Sequence, residues 1–173
     1  GFLFINKNLK IFIVRQIIIF YLKVFLKFKS LFFVVQNKDD EAFFKRTFNL
    51  NKTNLSIIRG SGVDINYFKY FEEISKKNIR ISYAGRILED KGILWLIAAY
   101  KVAKAKYPNL ELYIAGPLDE KNPSRISKNY FKELIDFKDI YFLGNIKNIK
   151  KYWQESDIAI LLSKREGLPL SLL

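Results

Sequence analysis

Arg86 and Lys91 are the residues whose types and spacing first suggest chemistry, because they flank a short loop running from a predicted strand into a predicted helix. Free backbone N–H groups and the helix dipole favour an anion at such a helix start. An Arg adds a planar fork of donors and a Lys a mobile point charge, a combination suited to two linked phosphate groups. The same spacing is equally that of two solvated surface charges. Comparable positions follow the other predicted strands: Gly85 beside Arg86, Gly116-Pro117-Leu118-Asp119, Gly144-Asn145 and Ser163-Lys164-Arg165-Glu166. Open parallel sheets bind ligands outside the carboxyl ends of their strands, so these tips form the candidate site. Glu166 taken alone reads as a charge at a helix N-terminus, worth about 0.3 to 1 kcal/mol.

Other chemistries are excluded by what is missing. With no Cys and no His among the 173 residues, thiolate zinc sites, cysteine nucleophiles, disulfides and Ser-His arrangements cannot be built from this sequence. The stretch Gly60-Ser61-Gly62-Val63-Asp64-Ile65 opens like a dinucleotide fingerprint, yet Ile65 stands where the third glycine belongs. It also lacks the Gly-Lys-Ser/Thr ending of a P-loop, and reads instead as a turn or hinge.

The elements that must position the strand tips follow from periodicity. Strands are predicted at Arg80–Ala84, Leu110–Ala115, Ile140–Leu143 and Ile158–Leu162, and helices at 91–107, 124–136 and 148–155. Leu94, Ile97, Ala98 and Val102 are expected on the apolar face of the first of these helices, which Pro108 closes. A further loop and helix should open at Glu166. Alternating strands and helices imply βαβ crossovers and a parallel, doubly wound α/β sheet. Upstream, Leu31–Gln36 reads as a buried strand and 39–41 as the acidic first turn of another helix.

Residues 2–35 are rich in Ile, Leu, Phe and Val, but Lys10, Arg15, Lys23, Lys27 and Lys29 interrupt the roughly 20 apolar residues that a bilayer crossing needs. A helix burying Phe20, Val24 and Phe28 is expected there, with a basic edge. The net charge of +13 comes from 30 basic and 17 acidic side chains. It is concentrated in residues 1–60, with 11 basic against 3 acidic. Such a balance favours anionic partners, although compositional drift toward Lys, Asn, Ile, Phe and Tyr would produce it equally. The chain has no Met and starts at Gly1, so a piece of a longer protein is expected.

The pattern Gly85-Arg86 followed by Lys91-Gly92 resembles the Gly-Arg-x4-Lys-Gly loop of family 4 glycosyltransferases of the GT-B fold. Glu166 resembles the first Glu of their Glu-x7-Glu segment, whose second Glu would fall at position 174. Residues 58–64 resemble the interdomain segment. Residues 119–123 resemble a subgroup that extends lipid-linked oligosaccharides, and Gln36-Asn37 with Asp40 and Phe43 or Phe44 resembles the close of the family's N-terminal domain. Departures occur at Leu162, where the family often has Pro, and at Lys164, where it has an aromatic residue.

The resemblance implies two Rossmann-like domains, with 1–60 the remnant of an acceptor domain and interdomain segment and 61–173 a truncated donor-binding domain. It implies retaining transfer of a sugar from a nucleotide-sugar donor, with UDP preferred, to a glycan or polyprenyl-diphosphate-linked acceptor in cell-surface polysaccharide synthesis. Arg86, Lys91 and Glu166 would be the catalytic residues. Gly85, Gly116, Gly144, Asn145, Gly167 and Leu168 would contact the donor, and neither metal nor other cofactor is expected. Localisation would be cytoplasmic, peripheral on the membrane's inner face, with residues 10–29 as the lipid-facing surface. The alternative from another class is a basic, non-enzymatic module binding nucleic acid or an anionic membrane, although no nucleic-acid motif is present.

Overall fold

The computed structural model describes residues 8–28, 31–51, 53–60, 62–69, 77–164, 166, 169 and 171. The chain forms two compact units, Gly1–Gly62 with Glu166–Leu170 and Val63–Arg165 with Ser171–Leu173.

In the first unit, α1 (Leu9–Phe28) is followed by β1 (Phe33–Val35), α2 (Lys38–Phe48) and β2 (Leu55–Ile57). β1 and β2 pair in parallel, with Phe33 opposite Leu55 and Val35 opposite Ile57. The start of α2 is fixed by Asn37, whose side chain accepts from the Asp40 N–H at 2.8 Å and donates to the Asp40 carboxylate at 3.0 Å. Such a cap satisfies an otherwise orphaned helix donor. Asn49 ends α2 in the left-handed region, which Asn tolerates better than most residues. Val35, Phe48, Leu50 and Leu55 form the core, and Phe44 lies 5.3 Å from both Phe33 and Phe48 between ring centroids.

Two expectations change here. The strand is three residues long, Phe33–Val35, because Asn37 already caps the next helix. The residues of α1 that pack on this core are Ile19, Leu22 and Leu26, each half-buried as Val24 also is, whereas Phe20 is exposed and the side chain of Phe28 lies outside the described ones. With apolar residues all round the helix, composition alone does not select the packed face.

The second unit comprises β3 (Ile79–Ala84), a 3-10 turn (Glu89–Lys91), α3 (Ile93–Lys106), β4 (Leu110–Ala115), α4 (Lys128–Ile135), β5 (Ile140–Gly144), α5 (Ile149–Gln154) and β6 (Ile158–Ala159). Its four strands are parallel in the order β5-β4-β3-β6. Strand order therefore reverses beside β3, which gives the expected doubly wound sheet a switch point between β3 and β6.

Period-two alternation divides the two faces of this sheet. Ile81, Tyr83, Leu112, Ile114 and Ile140 pack with Ile93, Leu96 and Ile97 of α3 and with Phe131 of α4. On the opposite side the Arg80 guanidinium lies 3.9 Å from the Tyr113 ring and 5.0 Å from the Tyr152 ring, and pairs with Glu155 at 2.7 Å. Tyr152 of α5 reaches the Tyr83 carbonyl at 2.8 Å, and burial pushes its hydroxyl up to about 12.

The helices differ from expectation at their ends. α3 begins at Ile93 rather than Lys91, because Gly92 takes a left-handed conformation after the 3-10 turn. Its buried face is Ile93, Leu96, Ile97, Tyr100 and Lys104, and Val102 is 77% exposed. α4 starts after the Ser127 cap, not at Ser124, since Ser124 and Arg125 are engaged with the loop after β3. β6 is confined to Ile158–Ala159, although Ile160 still donates to the Ser82 carbonyl at 2.9 Å.

At the amino-terminal ends of the strands, Lys104 is only 9% exposed, and its ammonium contacts the Pro108 and Leu110 carbonyls and the Asp139 carboxylate. This hydrogen bond from Lys104 holds the Asp139 carboxyl below its ordinary value. A depressed folded-state value adds stability above the unfolded carboxyl range, which is lost as pH falls through it. Asp139→Asn should therefore lower the urea midpoint at pH 7, and the difference from the native chain should shrink as pH drops below about 4.

Candidate functional site

The carboxyl ends of β3, β4 and β5 are joined by their own backbones. Gly85 donates to the Ala115 carbonyl at 3.0 Å and Gly116 to the Gly144 carbonyl at 2.7 Å. Ile87 donates to Pro117 at 2.9 Å, and Glu89 donates to Ser124 at the same distance. Lys164, on the loop after β6, donates to the Asp90 carbonyl at 2.9 Å. These bonds hold the strand tips as one rim, which is the rigidity a binding loop needs before a ligand arrives.

Two glycines make this rim possible. Gly116 has φ +135°, and a Cβ there would run into the Gly85 carbonyl, with the carbonyl carbon only 2.7 Å away. Gly92 has φ +74°, and a Cβ would meet the carbonyl of Leu162, whose carbon would also lie 2.7 Å away. Any side chain at either position must push two loops apart.

Arg86 leaves the end of β3 with its side chain 54% exposed. Its carbonyl accepts a hydrogen bond from the hydroxyl of fully buried Tyr83 at 2.8 Å, which anchors the loop from beneath. Its guanidinium contacts the Asp119 carboxylate at 3.2 Å across the neighbouring loop. Lys91 closes the 3-10 turn and is half-buried. Next to it, the Asp90 Oδ1 atom is buried without a hydrogen-bond partner. A buried open acceptor is uncommon and calls for an explanation.

The unit thus brings together Gly85, Arg86, Gly116 and Gly144 on one rim, with Asn145 exposed immediately beyond β5. Lys91 follows on the same loop as Arg86, separated from α3 by Gly92 rather than lying within the helix as expected. Glu166 is half-buried and belongs to the segment grouped with the first unit. Gly167 and Leu168 lie outside the described residues, as does most of the helix expected after Glu166.

Sequence reasoning missed the roles of Tyr83 and Asp119. The signal for Asp119 was present in its spacing from Asn122, the pattern of a side-chain-stabilised turn. Tyr83 reads in the sequence as any buried strand aromatic. Among the described residues no group of three or more His, Cys, Asp and Glu side chains could hold a metal ion. A cationic group at the switch point of a parallel sheet, backed by close glycine loops, can bind a phosphorylated ligand and stabilise negative charge on it.

Residues 66–173 match the family model described as Glycosyl transferases group 1, and the chain belongs to that family. The fold is of the GT-B type, as the sequence motifs implied. An N,N'-diacetylbacillosaminyl-diphospho-undecaprenol alpha-1,3-N-acetylgalactosaminyltransferase of Campylobacter jejuni is 27% identical over 182 aligned residues, covering 100% of this chain and 46% of its own length. An uncharacterised glycosyltransferase of Methanocaldococcus jannaschii is 33% identical over 105 residues, or 58% of this chain and 24% of that protein. The chain therefore spans less than half the length of these curated relatives. Among solved structures, WaaG, a glycosyltransferase involved in lipopolysaccharide biosynthesis, superposes with a TM-score of 0.64 at 14% identity, covering 83% of this chain and 41% of WaaG.

The close approach at Gly116 yields a direct test. Gly116→Ala should lower stability by about 2 kcal/mol or more in urea denaturation, because the clash is with backbone and the conformation is left-handed. A stability unchanged within about 0.5 kcal/mol would mean that the two loops are not held at this distance.

Proposed function

We propose that this chain carries the donor-binding part of a retaining glycosyltransferase that moves a sugar from a UDP-sugar to a glycan or lipid-linked oligosaccharide in cell-surface polysaccharide synthesis. The observation that carries the reading is Arg86 at the tip of β3, half-exposed beside the switch point, on a loop whose backbone is already fixed. Breaking the bond from the anomeric carbon to the phosphate oxygen leaves negative charge on the diphosphate. Arg86 and Lys91 would balance that charge without a metal, and fixed donors of this kind stabilise a transition state without reorganising. Glu166 would accept hydrogen bonds from hydroxyls of the donor sugar, and the backbone N–H groups of Gly167 and Leu168 would approach the sugar and phosphate.

The C. jejuni relative acts by name on a diphospho-undecaprenol-linked acceptor and forms an alpha linkage. CapM of Staphylococcus aureus, 24% identical over 133 residues, is named for capsular polysaccharide biosynthesis. The structural neighbours TarM and HepE have been solved with UDP, and HepE also with UDP-glucose. These names support the choice of uridine and of a lipid-linked or polymeric acceptor.

Calorimetric titration with UDP and GDP tests the donor site. UDP should bind in preference to GDP, and Arg86→Ala or Lys91→Ala should each weaken it by roughly 10- to 100-fold, the value of a charge-assisted hydrogen bond. Native affinity in both variants would remove the assignment. Binding that ignores the base and collapses steeply with salt would favour the non-enzymatic basic module.

We further propose that α1 lies against an anionic membrane surface, as suits a cytoplasmic enzyme with a lipid-linked acceptor. No described helix is long and apolar enough to cross a membrane. α1 nevertheless exposes Phe12, Ile17, Phe20 and Phe25 together with Lys10, Lys23 and Lys27, and contains no acidic residue. Apolar insertion and attraction to anionic headgroups would act together there. Co-flotation with vesicles containing phosphatidylglycerol should fall several-fold when the three lysines become glutamines. Flotation insensitive to those changes would refute the surface.

A further inference from the structure

We infer that Asp119 is a positioning residue that holds Arg86 ready for the diphosphate, an inference that rests on the donor-site reading above. Three observations lead to it. The guanidinium makes one contact to Asp119, through a single amino nitrogen at 3.2 Å, although it carries five N–H donors. Its side chain remains 54% exposed while that of Asp119 is 29% exposed, so the carboxylate is the more enclosed partner and the arginine stays open to a ligand. Finally, Asp119 is itself fixed. Its carboxylate accepts from the Asn122 side chain at 3.3 Å, and its carbonyl accepts from the Asn122 N–H at 3.2 Å.

The backbone on either side of the pair fixes the separation of the two residues. Ile87, the next residue after Arg86, forms a bridge with Leu118, the residue before Asp119. Ile87 also donates to the Pro117 carbonyl at 2.9 Å. The Cα atoms that carry the two charges are thus set by main-chain bonds, and the side chains have only to close a gap already fixed. An exposed ion pair adds little to folding stability. Its consequence here is instead for binding, because an arginine already held by one arm loses less rotamer freedom when a ligand takes the others.

Asp119 also acts in the opposite sense, since a carboxylate near a diphosphate repels it. Repulsion through water is weakened by the high dielectric constant of the solvent, whereas an arginine that is free before binding has to be ordered at binding. Positioning therefore prevails, and the prediction has a definite sign. Asn at position 119 would keep the acceptor for Arg86 and remove the charge, while Ala would remove both.

The test is titration of the 173-residue chain with UDP and with inorganic pyrophosphate, each at two salt concentrations. Asp119→Ala should weaken both ligands roughly three- to tenfold, and Asp119→Asn should stay within about twofold of the native chain. Combined with Arg86→Ala, the Asp119→Ala change should have no further effect, which a general disturbance of the fold would not reproduce. Tighter binding by Asp119→Ala, or an equal loss with and without Arg86, would overturn the inference. A native chain that binds neither probe, or binding indifferent to Arg86, would instead overturn the donor-site reading on which it rests.

Discussion

The close passage of Gly116 under the Gly85 carbonyl is the constraint on which the rest of the site depends. Where two parallel strands end side by side, their exit loops diverge unless something holds them, because the ladder of hydrogen bonds stops. Here the ladder continues past the strand ends, from Gly85 to Ala115, from Gly116 to Gly144 and from Ile87 to Pro117. Continuation is possible only where the chain turns in a conformation forbidden to most residues, and it brings Arg86 within reach of Asp119. The buried hydroxyl of Tyr83 supports the same loop from the core side. Removing any of these supports would leave Arg86 on a loop free to choose among many conformations.

Charge at this rim is organised rather than merely abundant. The chain carries +13, yet most of the described lysines are exposed and contribute only a diffuse, salt-screened potential. Arg86 differs because one carboxylate fixes its direction while the remaining donors stay accessible. Asp90 adds a buried acceptor beside Lys91, at a point where a basic loop would be expected to present donors only. A site meant to discriminate among anions gains from having both signs of charge in fixed places.

Much of this was legible in the sequence, and the parts that were not share a physical cause. Parallel strands separated by amphipathic helices announce themselves by periodicity, and Leu110–Ala115 coincides with its prediction residue for residue. The Gly-Arg-x4-Lys-Gly spacing falls at the tip of β3, beside the point where the strand order reverses. Helix starts were misplaced wherever a loop found better partners elsewhere. Ser124 and Arg125 pair with the loop after β3 instead of beginning a helix, and Gly92 interrupts the expected helix because it must pass beneath Leu162. The faces of α1 and α3 were legible only in part: Leu94 and Ile97 pack as expected, whereas Ala98, Val102 and Phe20 are exposed, because on helices apolar over much of their surface packing partners, not composition, choose the buried side. The pairing of Arg86 with Asp119 joins residues 33 apart in sequence and is invisible to any local pattern.

The least expected feature is the polar aromatic layer on the second face of the sheet, and it explains how the other half of the rim is held. β6 shares only two paired positions with β3, too short a ladder to fix the loop that follows it. Asp157 compensates at the start of that strand: its carboxylate accepts from the Arg80 N–H at 2.7 Å, and its own N–H returns a bond to the Arg80 carbonyl. The Arg80 side chain then bridges to Glu155 and lies over Tyr113 and Tyr152, while the Ser156 hydroxyl donates to Ser82 at 2.6 Å. An arginine only 13% exposed between two aromatic rings and a carboxylate is costly to pull away from them, since its own guanidinium would be left largely buried without them. Ser163 and Lys164 therefore leave β6 from a fixed point and meet the loop of Arg86 and Lys91 at the Asp90 carbonyl. The apolar face of the sheet gives the unit its stability, and the polar face sets where its last strand delivers the chain to the rim.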